Sequence, residues 1–190
     1  MEYNRVIEGE RTMPFEFDIL NWIQDVMQCD FLDWFMAKFT LLGEAGIIWI
    51  ALAVAMIITK KYRKYGFLVL AGLLLGLIIG NGIVKNVVMR ARPFQVREGI
   101  KLLISAPGEY SFPSGHAQSS FIAATIITLT NKKFGYAVIP IAVIMAFSRL
   151  YLYVHFPTDI LAGIIMGIAI GCFTFFVGKK VLKIDSPTRA

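Results

Sequence analysis

Long apolar stretches set the terms on which this chain can fold. Five of them, residues 41–59, 65–84, 115–131, 136–154 and 158–178, run close to the ~20 residues that carry a helix across the ~30 Å hydrocarbon core of a bilayer. The third and fourth are short, or polar at one end. Inside that core the backbone finds no water, and a helix satisfies its amide groups within one segment. Only 17% of the residues are charged, where a soluble domain carries about 25%. The expectation is an all-α, polytopic membrane helix bundle of about five transmembrane helices. It forms a single domain over residues 1–190, with its helical core at 41–180.

Residues 16–37 are different. Leu20, Ile23, Met27 and Phe31 recur at helical spacing, with Asp18, Asn21, Asp25 and Asp33 between them. The segment is too acidic to span, so the N-terminal part of the chain, residues 1–40, is expected to hold an amphipathic helix lying in the membrane interface. The first 18 residues are polar and acidic and do not read as a cleavable signal peptide. Cys29 and Cys172 are far apart in the sequence and lie in no metal-ligand spacing.

Charge orders the connections. Residues 1–40 hold eight acids and three bases, whereas the rest of the chain holds sixteen bases and five acids. Three short basic links, at Lys60–Lys64, Lys132–Lys133 and Lys179–Lys183, are cytoplasmic by the positive-inside rule. The N-terminus, the loop 86–114 and the link near 155–158 then lie outside, and the C-terminus inside. Because the cations sit at the ends of apolar blocks, the basic balance speaks for topology and anion binding rather than for nucleic acid. The outer loop nonetheless carries Arg90, Arg92, Arg97 and Lys101, with Lys85 before it and Arg149 near the end of block four. Cations on that side imply a bound anion, or contact with anionic headgroups. Gly72, Gly76 and Gly80, and likewise Gly163, Gly167 and Gly171, recur every fourth residue and read as faces for close helix packing.

The only two histidines, His116 and His155, fall at the outer ends of apolar blocks. His116 closes the run Ser111-Phe112-Pro113-Ser114-Gly115-His116. Here Pro113 suits a helix start, Ser114 an N-cap, and Gly115 a close backbone approach to a ligand. A helix start of this kind favours an anion. His155 is followed four residues later by Asp159, whose carboxylate can fix the imidazole tautomer. Lys85 and Arg92, seven residues apart at a helix exit, can grip different oxygens of one phosphate.

In order, these pieces read K-x6-R-P, P-S-G-H and S-R-x5-H-x3-D. With them intact over residues 41–180, the chain resembles the type 2 phosphatidic acid phosphatase superfamily. Its length resembles the short form seen in bacitracin-resistance undecaprenyl diphosphate phosphatases. The resemblance implies that His155 is the nucleophile, that Asp159 orients it, and that His116 is the acid and then the base. Lys85, Arg92, Arg149, Ser114 and Gly115 would hold the phosphate. It implies neither metal nor cofactor, and Asp159 is the only acid in the three motifs.

The activity expected is hydrolysis of a lipid phosphate or diphosphate in the cell membrane, by an outward-facing site. Undecaprenyl diphosphate is the favoured substrate, and phosphatidylglycerol phosphate or phosphatidic acid the alternative. An anion channel or transporter would need neither histidine. The partners expected are the lipid substrate and membrane lipids, not nucleic acid.

Overall fold

The computed structural model describes residues 14–97 and 99–184, and every regular element among them is helical. The acidic residues 1–13 and the end of the basic C-terminal segment lie outside that range. The elements in chain order are α1 Pro14–Met27, α2 Asp30–Leu41, α3 Ile47–Ile58 and α4 Arg63–Gly76. A π-helical stretch, Leu77–Val84, continues α4 into α5 Lys85–Val88. They are followed by α6 Pro93–Val96, α7 Gly115–Thr130, α8 Lys132–Tyr151 and α9 Pro157–Val181.

The single amphipathic helix expected over 16–37 is two helices. Cys29 is extended (φ −157°, ψ 156°), and Asp30 and Asp33 fall in the first turn of α2, where carboxylates complement the positive end of a new helix. In α1 the stripe Glu16, Leu20, Ile23 is buried, while Phe15, Trp22 and Val26 are exposed on the other side.

Three helical runs among the described residues, Arg63–Val96, Lys132–Tyr151 and Pro157–Val181, are long and apolar enough to cross a membrane. The pair Asp30–Leu41 and Glu44–Ile58, bent by 51°, passes the same test as one broken span. The bend passes through Ala45 (φ 50°) and Gly46 (φ 71°), a left-handed turn that glycine adopts without a steric penalty.

The 16-residue helix α7 is about 24 Å long at 1.5 Å per residue, shorter than the hydrocarbon core. It is packed between α8, α9 and α4 and buries Ala117, Ile122, Ala123, Ile126 and Ile127. The two glycine ladders are the contact faces. A Cβ on Gly163 or Gly167 would stand 2.7 Å from the backbone oxygens of Ser114 or Gln118, so α9 meets the α7 backbone itself. On the other ladder, a Cβ on Gly72 or Gly76 would collide with Ile122. Trp49, fully buried on α3, donates to Ser120 Oγ at 2.9 Å and pins α3 to α7. The apolar centre thus fixes the N-terminal end of α7, the exit of α8 and the start of α9 at one end of the bundle.

Candidate active site

Each of these helix ends delivers a side chain that the sequence motifs single out. At the start of α7, Ser114 Oγ accepts the Ala117 amide at 3.4 Å, so Ser114 is the N-cap that the sequence indicates. Its own backbone N donates to Asp159 O at 3.1 Å and ties the α7 start to that of α9. Beyond α5, the left-handed Met89 (φ 48°) turns the chain. Arg92 is then extended ahead of Pro93, its amide held by Gln95 Oε1 at 2.8 Å.

A cavity of about 880 Å³ joins them. Lys85, Arg92, Gly115, His116, Arg149 and His155 all line it, together with Glu44 and Glu109. The rest of its wall is largely apolar and includes Leu41, Ile50, Leu70, Leu73, Leu74 and Leu77. Ser114 and Asp159 lie directly behind the wall, both fully buried.

The cations are fixed rather than mobile. Arg92 Nε donates to Glu109 O at 2.7 Å, and its Nη1 donates to Val154 O at 2.8 Å. Arg149 Nη1 donates to Thr40 Oγ1 at 2.6 Å, while its buried Nε has no hydrogen-bond partner among the described residues. Lys85 Nζ donates to the Glu109 carboxylate, and this bond holds the Glu109 carboxyl below the usual carboxylate range. His116 Nε2 lies 3.8 Å from Glu44 Oε1 and likewise has no hydrogen-bond partner among the described residues. Room for that imidazole depends on Gly43, where a Cβ would stand 2.5 Å from His116 Cδ2.

His155 is 2% exposed. Its Nε2 lies 3.2 Å from Arg92 Nη1. An arginine N–H can only donate, so the lone pair is on Nε2 and the proton on Nδ1. Nδ1 faces Ser111 Oγ at 3.4 Å and Asp159 Oδ2 at 3.5 Å. Asp159 Oδ2 also accepts from Ser111 Oγ and from the Phe156 amide, the latter at 2.9 Å. Burial pushes His155 down to about 3, aided by Arg92 and Arg149 and opposed by Asp159, so the imidazole is neutral. A neutral imidazole with its lone pair toward a cluster of cations can attack an anionic phosphorus centre.

The same three sequence motifs lie in a stretch that matches a known family. The PAP2 superfamily model covers residues 61–182. This chain belongs to the PAP2 superfamily. Among PAP2 relatives, it is 31% identical over 169 residues to a protein of Sulfolobus acidocaldarius named undecaprenyl-diphosphatase, covering 87% of this chain and 79% of that one. Its fold is that of a crystal structure of Aquifex aeolicus LpxE (TM-score 0.68, 24% identity, 84% and 94% of the two chains). It is equally that of a PAP2-type phosphatidylglycerolphosphate phosphatase from Bacillus subtilis (TM-score 0.67, 22% identity, 97% and 94%).

From the sequence Arg90 is one of the outer-loop cations expected to meet an anion or headgroups, and Glu16, Thr40, Glu109 and Ser111 have no assigned role; the structure gives each a partner at this site. Arg90 Nη1 donates to Asp159 Oδ1 at 2.6 Å, and Nη2 donates to Glu16. Ser111 holds Asp159, Thr40 holds Arg149, and Glu109 meets Lys85. Glu16 had a signal: positions 16, 20 and 23 form one helical stripe, and an acid there points into the protein rather than to water.

Proposed function

We propose that this PAP2 protein hydrolyses a phosphate ester or anhydride of a membrane lipid through a phosphohistidine, without a metal ion. One observation carries the reading: two imidazoles and three cations share a cavity whose remaining wall is largely apolar. In the first step His155 Nε2 attacks phosphorus, the P–O bond to the lipid breaks, and His116 gives its proton to the departing oxygen. Lys85, Arg92 and Arg149, with the Gly115 amide and Ser114 at the start of α7, offset the charge on the transferring group. Asp159 stabilises the imidazolium that forms. In the second step His116 takes a proton from water, whose oxygen bonds to phosphorus as the N–P bond breaks, and phosphate leaves.

The substrate we favour is undecaprenyl diphosphate, in keeping with the name of the Sulfolobus relative. The likeness to the Bacillus subtilis phosphatidylglycerolphosphate phosphatase, which extends over 97% of this chain, supports a second reading with that lipid. The apolar wall suits the tail of either. We further propose one membrane domain of five spans, α3 and α7 being the shortest. The α1–α2 segment would lie in the outer interface with Trp22 and Trp34 toward lipid, and the active site would face outward with the C-terminus in the cytoplasm.

Phosphate release from purified protein should be fastest with undecaprenyl diphosphate. It should be abolished in His155→Ala and unchanged by EDTA. A preference of more than about tenfold for phosphatidylglycerol phosphate would transfer the assignment to the second lipid. Loss on chelation with recovery on Mg²⁺ would remove the metal-free mechanism, and retained activity in His155→Ala would remove the nucleophile.

A further inference from the structure

Behind Asp159 lies a second charge network, built partly from a helix outside the stretch covered by the family model. Asp159 Oδ1 accepts from Arg90 Nη1 at 2.6 Å, and the same nitrogen donates to Thr158 Oγ1 at 2.7 Å. Arg90 Nη2 donates to Glu16 Oε2. Glu16 Oε1 accepts from the Thr158 amide at 3.0 Å and the Thr158 hydroxyl at 2.6 Å. Glu16 and Asp159 are both 0% exposed. The Arg90 guanidinium stacks on Phe156 at 4.1 Å from the ring centroid, and the Arg90 carbonyl accepts the Ser111 amide at 2.8 Å.

Two buried carboxylates therefore share one guanidinium, and the trio carries a surplus negative charge. Had Asp159 paired with Arg90 alone, the pair would be neutral and its pull on the imidazole weak. Because Glu16 draws on the other guanidinium nitrogen, Asp159 keeps negative charge on Oδ2, the oxygen facing His155 Nδ1. That charge gains its full value in a low-dielectric interior as the ring becomes cationic during attack.

We propose that Arg90 and Glu16 are positioning residues, through which helix α1 sets the orientation and the effective charge of Asp159 and hence the strength of His155 as a nucleophile. The inference rests on the phosphohistidine reading above. It assigns the N-terminal helix a part in turnover that membrane attachment does not require.

The test uses the full chain in detergent, with phosphate release from undecaprenyl diphosphate and from phosphatidylglycerol phosphate, each variant being normalised to folded protein by gel filtration. Glu16→Gln keeps the shape and an acceptor for Thr158 but removes the charge. It should lower kcat by about tenfold with KM inside about twofold of wild type, the pattern of an interaction made in the transition state. Arg90→Lys keeps the charge but not the two-nitrogen fork, and should lower kcat similarly. If Arg90→Lys does not fold, Glu16→Gln decides. A wild-type kcat with only a lower melting temperature would mean a structural staple and overturn the proposal, as would a rise in KM alone. Activity surviving in His155→Ala would overturn the phosphohistidine reading and this inference together. An inactive His155→Ala beside an unaffected Glu16→Gln would overturn the positioning role and leave that reading standing.

Discussion

A histidine ring shut away from solvent and set against arginine titrates far from its ordinary value, and His155 shows the effect. Unfolded, its imidazole titrates near 6.5; folded, it is pushed down to about 3 by burial. Between those values the unfolded chain binds a proton that the native state refuses. Stability therefore falls as pH drops below about 6.5, by at most about 1.4 kcal/mol per pH unit for this one group. The melting midpoint of wild type should fall more between pH 7 and 5 than that of His155→Asn, measured in the same detergent. Parallel falls would mean that the folded ring takes up the proton. The residues that meet in the cavity were legible because each sits in a short run whose local grammar points to it, such as the cap at Ser114 or the His155–Asp159 spacing. Glu16 and Glu109 were not, and Arg90 was legible only as an outer cation, because the partners that give them meaning are distant along the chain. No local spacing links Glu16 to Asp159.

At the scale of elements, the α7–α9 contact decides whether the site exists. α7 begins with Gly115 and His116 and α9 with Pro157 and Asp159, so the glycine seam between them also sets the distance between two halves of the candidate site. Gly167→Ala places a methyl 2.7 Å from Gln118 O, which rigid backbone cannot absorb without the helices separating. We expect a loss of about 1–3 kcal/mol, the usual cost of overpacking, seen as a lower melting midpoint together with reduced phosphate release. Gly82→Ala, whose nearest contact would be Leu77 O at 3.8 Å, serves as the tolerated control. The sequence indicated these ladders as packing faces and located the apolar blocks. It did not separate α1 from α2, because the hydrophobic stripe runs unbroken through Cys29 while the backbone turns there. Nor did the reading of 41–59 as one continuous block anticipate the left-handed bend at Ala45–Gly46, although Gly43, Glu44 and Gly46 interrupt its apolar run there.

For the whole molecule, the cations that line the cavity gather at one end of the bundle, and the basic links Lys60–Lys64, Lys132–Lys133 and Lys179–Lys183 belong to the opposite ends of the apolar blocks. Given the positive-inside rule, the catalytic end should face outward. In a background with Cys29→Ala and Cys172→Ala, needed because Cys29 is itself exposed, Ser105→Cys at the mouth of the cavity should react with an impermeant thiol reagent in intact cells. Labelling only after lysis would invert the orientation. The cavity adds a further point about the protein as a physical object. Leu41, Ile50, Leu74 and Leu77, which bound it on the apolar side, are also exposed on the outer surface of the bundle. That side of the enclosure is thus completed by whichever amphiphile lies alongside, and swapping one detergent for another exchanges part of the reaction vessel, so rate constants measured in different micelles describe different composite catalysts.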